Sequence, residues 1–336
     1  MANKTKIVIT GGAGFVGSHC VEHFLKNTDW EIIVLDKLTY ASSGLDRLRD
    51  IESFNEQRVK MFSSDLQQSI SEGVKSEIGN VDYILNLASE SHVDKSIADP
   101  VNFIENNVKL VLNMLEWARE IKPKKFIQFS TDEAYGTALD GISYKEGDRH
   151  NAGNPYSASK DAQESICRAY ANTYGVPINI TNSMNIIGER QHPEKFVPMC
   201  IKKILNDEVI QIHANAELTK SGTRHYLHAR NIAKALEFIL LKTNEQLNKE
   251  DASLGCWNIV GDMEIANDDF ARMIGEIMGK EPKIELVSWH QSRPGHDLSY
   301  RLDGNKLKNA GFSYPIAFKE TLKKTIEWTL KNPKWL

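Results

Sequence analysis

The stretch Lys6-Ile7-Val8-Ile9-Thr10-Gly11-Gly12-Ala13-Gly14-Phe15-Val16-Gly17 decides how this chain folds. Five residues that suit a buried strand run straight into three spaced glycines. A helical pattern follows from His19 to Lys26. In a strand–turn–helix unit each glycine has its own task. One permits the tight turn, one lets the backbone approach a pyrophosphate, and one lets helix and strand pack closely. The helix N-terminus then presents unpaired N–H groups to an anion. A second strand, Glu31–Asp36, ends in a carboxylate at the distance expected of a ribose ligand. That carboxylate repels a 2′-phosphate, so the pattern favours NAD over NADP. Lys37 weakens the preference only slightly. Asp65 and Leu66 follow a third strand, where an acidic side chain can reach an adenine; on residue type alone, Asp65 reads almost equally well as a loop aspartate.

Working outward, strands are expected at Lys6–Thr10, Glu31–Asp36, Val59–Ser63, Tyr83–Leu87, Lys125–Ser130 and Ile178–Ser183. Apolar residues at helical spacing separate them, at His19–Lys26, Asn102–Ile121 and Tyr156–Tyr174. Strands alternating with helices predict an α/β, Rossmann-like doubly wound parallel sheet. After about Gly188 the strands become less regular, although helical patterns persist at Phe196–Leu205, Ala229–Leu241, Asn267–Met278 and Ala317–Leu330. The expectation is a cofactor domain over 1–187, with about 223–260 returning to it. A smaller α/β substrate lobe is expected mainly over 188–336. The basic run Lys122-Pro123-Lys124-Lys125 reads as a solvated turn.

Composition narrows the partners. The chain has 336 residues, 41% of them hydrophobic, and a formal net charge of −4. That is enough apolar material for one large or two ordinary domains. The charge argues against nucleic acid or an anionic membrane as the main partner. No run approaches the ~18 apolar residues of a membrane span. The cysteines Cys20, Cys167, Cys200 and Cys256 are widely spaced and read as free thiols in a reducing cytoplasm. His225 and His228 lack the companions of a metal site, so no metal is expected.

Tyr156 and Lys160 stand one helical turn apart, so phenol and ammonium share a face. A nearby cation lowers a phenol's pKa, which suits Tyr156 to take a proton from an alcohol. Asp132 and Glu133 add two neighbouring carboxylates. Each raises the other's pKa, so one can act as acid while the other acts as base. Alone, this pair reads equally well as a helix or turn cap.

The glycine motif together with Tyr156-x-x-x-Lys160 resembles the extended short-chain dehydrogenase/reductase family over nearly the whole chain. Further segments are similar to the nucleotide-sugar 4,6-dehydratases of the bacterial dTDP-glucose type. They are Leu35–Ala41, Ala88–Ser96, Ser130–Gly136, Gly188–Lys195 and Arg293–Asp297. The resemblance implies oxidation at carbon 4 of the sugar, water loss across carbons 5 and 6, and return of the hydride to carbon 6. It implies Thr131, Asp132, Glu133, Tyr156 and Lys160 as catalytic residues. It implies a cofactor set of Gly11, Gly14, Phe15, Val16, Gly17, Asp36, Lys37, Asp65, Leu66 and Ala88, with Tyr156 and Lys160. It implies substrate contacts from Ser91, His92, Asn185, Glu194, Lys195, Arg224, Arg293, His296 and Tyr300. A homodimer through Asn102–Ile121 and Ser157–Tyr174 is also implied.

Two segments depart from the family pattern. The family's Gly-Asp-Gly is replaced by Ala214-Asn215-Ala216. Its Asn-Asn-Tyr-Gly is replaced by Asn185-Ile186-Ile187-Gly188. The base, dTDP or UDP, therefore stays open, and sugar contacts can differ. A 4-epimerase or a decarboxylase of the same fold is the enzyme alternative, and a non-catalytic NAD-binding scaffold is the other.

Overall fold

The computed structural model describes residues 4–138, 141–288 and 299–336. Its twelve described strands are β1 (Lys6–Thr10), β2 (Glu31–Asp36), β3 (Val59–Ser63), β4 (Tyr83–Asn86), β5 (Lys125–Thr131), β6 (Ile178–Ser183), β7 (Asn185–Ile187), β8 (Val209–Ala214), β9 (Thr223–His228), β10 (Cys256–Ile259), β11 (Glu264–Ala266) and β12 (Lys283–Ser288). The helices are α1 (Phe15–Asn27), α2 (Asp46–Arg49), α3 (Glu72–Ile78), α4 (Val93–Ala98), α5 (Pro100–Ile121), α6 (Pro155–Tyr174), α7 (Phe196–Leu205), α8 (Ala229–Lys242), α9 (Asn267–Met278), α10 (Asn305–Asn309) and α11 (Phe318–Lys331).

Seven parallel strands form the main sheet in the order β10-β6-β5-β4-β1-β2-β3. Strand periodicity assigns its two faces. Ile7 and Ile9 of β1 and Ile32 and Val34 of β2 join a core shared with α1 and α8. Val8, Ile33 and Leu35 point the other way, into a core shared with α3, α5 and α6. Both faces are covered, so these strands read as continuous apolar runs rather than alternating ones. The strand order reverses direction between β1 and β4, which opens a crevice beyond their carboxyl ends.

The later part of the chain divides its elements. β10 joins the edge of the main sheet, and α8 packs against α1. β9 instead lies between β11 and β7 in a three-stranded sheet, and β8 pairs with β12. A third core, including Ile201, Phe270 and Leu322, ties α7, α9 and α11 together.

One expectation fails here. Lys125 is not part of a solvated turn. It is buried, and its ammonium donates to Ile239 O at 2.8 Å and Thr243 O at 2.7 Å. These carbonyls at the end of α8 lie more than a hundred residues away in sequence, so local composition could not reveal them. All four cysteines are free and buried.

Candidate active site

A cleft of about 670 Å³ runs along the carboxyl ends of the main-sheet strands. At one end the glycine loop is closed by its own geometry. Gly11 has φ +66°, and a Cβ there would lie 2.9 Å from Ala88 Cα. A Cβ on Gly17 would run into Gly11 O. The side-chain-free loop leaves room for a phosphate to approach the backbone at the start of α1. Asp36 locks this turn. Its Oδ2 accepts from Ala13 N at 3.0 Å, and its Oδ1 accepts from Leu38 N at 2.8 Å. Burial raises the Asp36 pKa, and these backbone donors offset only part of the rise. Lys37 pairs with Asp65 at 2.7 Å on the rim. Gly11, Gly14, Phe15, Val16, Gly17, Asp36, Lys37, Asp65, Leu66 and Ala88 all line the cleft. The glycine cradle, the helix N-terminus and the ribose-side carboxylate together fit an NAD molecule.

Deeper in, β5 delivers Thr131 and then turns through Asp132 and Glu133. Thr131 Oγ1 donates to Asp132 Oδ1 at 3.1 Å and accepts from Glu133 N at 3.3 Å. Asp132 is buried, and its other oxygen has no hydrogen-bond partner. Burial first, and the neighbouring Glu133 second, push its pKa up to about 7; Arg224 and the Thr131 hydroxyl pull the other way.

Helix α6 presents Tyr156 and Lys160 because its first turn is capped from both sides. Asn154 Oδ1 accepts from Ser157 N at 2.9 Å, and Ser157 Oγ accepts from Asn154 N at 3.1 Å. Pro155 supplies the helical φ at the first position. The same Asn154 donates to Glu133 Oε2 at 3.4 Å, so the helix cap also steadies the carboxylate.

The expected lowering of the Tyr156 pKa by Lys160 is not what this geometry produces. Burial and the negative charge of Glu133 raise the phenol, and a hydrogen bond with Thr131 only partly compensates. The Lys160 ammonium donates to Phe129 O at 2.6 Å and Gln163 Oε1 at 2.9 Å. Its own pKa is lowered to about 8, by burial first, against the opposing charge of Glu164. Spacing placed the two groups on one helix face. It could not show that the charges acting on the phenol are those of Glu133 and Asp132.

Ser91, His92, Asn185, Glu194, Lys195 and Arg224 also line the cleft. Glu194 Oε2 stands 3.4 Å from His92 Nε2 and 3.7 Å from His192 Nδ1. Arg224 is buried, donates to Thr223 O at 2.7 Å, and lies 4.6 Å over the Tyr300 ring. Tyr300 does not line the cleft; it is buried behind Arg224. Arg293 and His296 fall outside the described residues.

Sequence reasoning missed two buried polar groups. Glu189 accepts from His228 at 3.0 Å and Arg230 at 2.7 Å, and it faces His19 at 3.5 Å. The other group comprises Asn86, Gln128 and Gln163, which connect β4, β5 and α6. The available signal was an uncharged polar residue inside an otherwise apolar strand. Among the described residues, no group of three His, Cys, Asp or Glu side chains is placed to hold a metal. No described helix is long and apolar enough to cross a membrane.

The model of the NAD dependent epimerase/dehydratase family matches residues 7–255. A dTDP-glucose 4,6-dehydratase of Escherichia coli is 33% identical, over 98% of this chain and 95% of that protein. A trifunctional UDP-glucose 4,6-dehydratase/UDP-4-keto-6-deoxy-D-glucose 3,5-epimerase/UDP-4-keto-L-rhamnose-reductase of Arabidopsis thaliana is 32% identical, over 98% of this chain but 48% of that protein. Among solved structures, DesIV, the dTDP-glucose 4,6-dehydratase of Streptomyces venezuelae with NAD and TYD bound, is 30% identical. It superposes with a TM-score of 0.85 over 98% of both chains.

Proposed function

The chain belongs to the NAD dependent epimerase/dehydratase family, and from that premise we propose that it is a nucleotide-sugar 4,6-dehydratase acting on dTDP-glucose. One observation carries the dehydration. Asp132 is held near neutrality beside Glu133, in the same cleft as Tyr156 and Lys160. Epimerisation at carbon 4 needs a proton carrier for one hydroxyl. Elimination needs in addition a base for carbon 5 and an acid for the departing hydroxyl, and two carboxylates with unlike environments supply them.

The chemistry that bound NAD supplies is hydride uptake from carbon 4 and its later return to carbon 6. Gly11, Gly14 and Gly17 would hold its pyrophosphate, and Asp36 its ribose. Tyr156 takes the proton of the carbon 4 hydroxyl, and Thr131 hydrogen-bonds the same oxygen. A phenol held protonated by burial needs a cation to become a base. Lys160, one turn along the same helix, is the cation this helix offers. Glu133 removes the proton on carbon 5, and carbon 5 takes up a proton again when the hydride reaches carbon 6. Asp132 gives its proton to the hydroxyl leaving carbon 6. Arg224, Lys195, Asn185, Ser91, His92 and Glu194 bind the nucleotide sugar, with a guanidinium suited to diphosphate oxygens.

The proposed organisation is a cofactor domain over 1–187 and a nucleotide-sugar domain mainly over 188–336. The placement of α8 and β10 supports a return of part of 223–260 to the first domain. A cytoplasmic homodimer through α5 and α6 completes the proposal. These helices lie side by side, and Val101 and Tyr174 are exposed on them.

The test is incubation with dTDP-glucose and, in parallel, with UDP-glucose, without added NAD. Products are followed by mass and by the alkali-induced absorbance of a 4-keto sugar. Loss of one water from dTDP-glucose is expected. Loss from UDP-glucose alone would move the base to UDP, and no loss from either would overturn the substrate assignment.

A further inference from the structure

We propose that Gln163 is a positioning residue for Lys160, anchoring it to Thr10 at the end of β1, just before the glycine loop, through a chain of buried side chains that crosses the sheet. This rests on the catalytic reading of Lys160 given above.

The chain follows the strand register. Thr10 of β1 is the register partner of Asn86 of β4, and Asn86 is the partner of Gln128 of β5. Ala88 N donates to Thr10 Oγ1 at 3.0 Å. Thr10 Oγ1 donates to Asn86 Oδ1 at 2.7 Å, and Asn86 Nδ2 donates to Gln128 Oε1 at 2.7 Å. Gln128 Nε2 donates to Gln163 Oε1 at 3.0 Å, and Lys160 Nζ donates to that same oxygen at 2.9 Å. Gln163 Nε2 is used as well, donating to Asn107 O at 2.7 Å.

Thr10, Asn86, Gln128 and Gln163 are all fully buried. Burying such groups is costly unless each is satisfied, and a satisfied network has one orientation. Turning the Gln163 amide would aim its NH₂ at both the ammonium and the NH₂ of Gln128. Its oxygen is therefore committed to Lys160. An ammonium has three donors. Phe129 O and Gln163 Oε1 take two, which leaves one for the cleft that Lys160 lines.

The surroundings make this acceptor consequential. Burial lowers the Lys160 pKa, and among the described residues Glu164 of α6, with a smaller contribution from the Cys167 thiol, opposes it. β5 contributes the neutral carbonyl of Phe129, and α5 contributes the neutral carbonyl of Asn107, which accepts from Gln163. Asp132 and Glu133 act on Tyr156 across the cleft. Losing Gln163 Oε1 removes one of two direct partners of the protonated lysine.

The experiment is the pH profile of kcat and kcat/KM for Gln163→Met and Gln163→Glu, with Lys160→Met and the parent alongside. The substrate is whichever of dTDP-glucose and UDP-glucose the parent dehydrates. In Gln163→Met the alkaline limb moves down by about one pH unit, and kcat at mildly alkaline pH falls about tenfold with KM unchanged. In Gln163→Glu a charged acceptor moves the same limb up by about one unit. Opposite displacements are a signature that a merely packing residue does not give. Limbs that stay in place, or move together, overturn the inference. If Gln163→Met does not fold, the direction of the Gln163→Glu limb decides. Inactive Lys160→Met with unmoved Gln163 limbs sinks this inference alone. Active Lys160→Met sinks the catalytic reading of the lysine, and the inference with it.

Discussion

The carboxylate of Asp36 at the end of β2 accepts from the backbone N–H of Ala13 at 3.0 Å, so the second strand holds the first turn in shape. Asp36 thus has two tasks. It fixes the loop that would cradle the pyrophosphate, and it carries the negative charge proposed to meet the ribose. Asp36→Ala removes the acceptor for Ala13 and Leu38 together. Each buried N–H left unpaired costs about 1–3 kcal/mol. NAD retained through purification is expected to drop at least about tenfold, with a lower melting midpoint. Full retention of NAD by this variant would remove Asp36 from the cofactor site.

Glu189 supports a different prediction, about stability and acid. Burial pushes its pKa up, but His19, His228 and Arg230 outweigh burial and hold it well below the usual carboxylate range. Glu189→Gln leaves these partners facing a neutral amide, and breaking such a buried pair costs about 3–5 kcal/mol. The sign with pH follows from the depressed folded pKa. The stabilisation is present above the unfolded value, near 4.5, and is lost progressively as pH falls below it. Melting curves of parent and variant should be far apart near neutral pH and converge in acid. A constant gap across that range would show that the carboxylate's charge is not the source.

Much of this arrangement was legible in the sequence where the information is local. The expected strands Lys6–Thr10, Glu31–Asp36, Val59–Ser63 and Ile178–Ser183 coincide with β1, β2, β3 and β6. Tyr83–Leu87 overshoots β4 by one residue, and Lys125–Ser130 stops one short of β5. The pairing of β8 with β12 was not legible. Val209–Ala214 is short, and its partner lies some seventy residues further along. The cleft residues Thr131–Glu133 and Tyr156–Lys160 were visible because each group is contiguous or one turn apart. Asn86, Gln128 and Gln163 were not. Their relationship exists only through strand register and a helix packed across it.

Tyr156 separates binding from chemistry. Tyr156→Phe removes the hydroxyl but keeps the ring, whose edge-to-face contact with Phe103 has centroids 6.2 Å apart. Loss of a general base typically costs about 10²–10⁴-fold. A fall of that size in kcat is expected, with bound NAD retained. Turnover within a few-fold of the parent would eliminate Tyr156 as the proton acceptor.

Asp132 joins stability to mechanism. Its folded pKa, about 7, lies above the ordinary 3.8. Between those values the native state keeps a proton that the unfolded chain releases. Stability therefore falls as pH rises through this window, by up to about 1.4 kcal/mol per pH unit for this one group. Asp132→Asn removes that slope, so the variant should be more stable than the parent near pH 8 and equal to it near pH 4. The same change removes the acid proposed for carbon 6. Oxidation at carbon 4 should still occur, seen as NADH absorbance on mixing with the nucleotide sugar, while water loss falls about 10²–10⁴-fold. Glu133→Gln should instead stop exchange of the carbon 5 hydrogen with deuterated solvent. An Asp132→Asn enzyme that dehydrates at the parent rate would remove Asp132 as the acid, even if the stability profile behaves as expected. A burial-raised carboxyl would then be a strain on the fold without a chemical use.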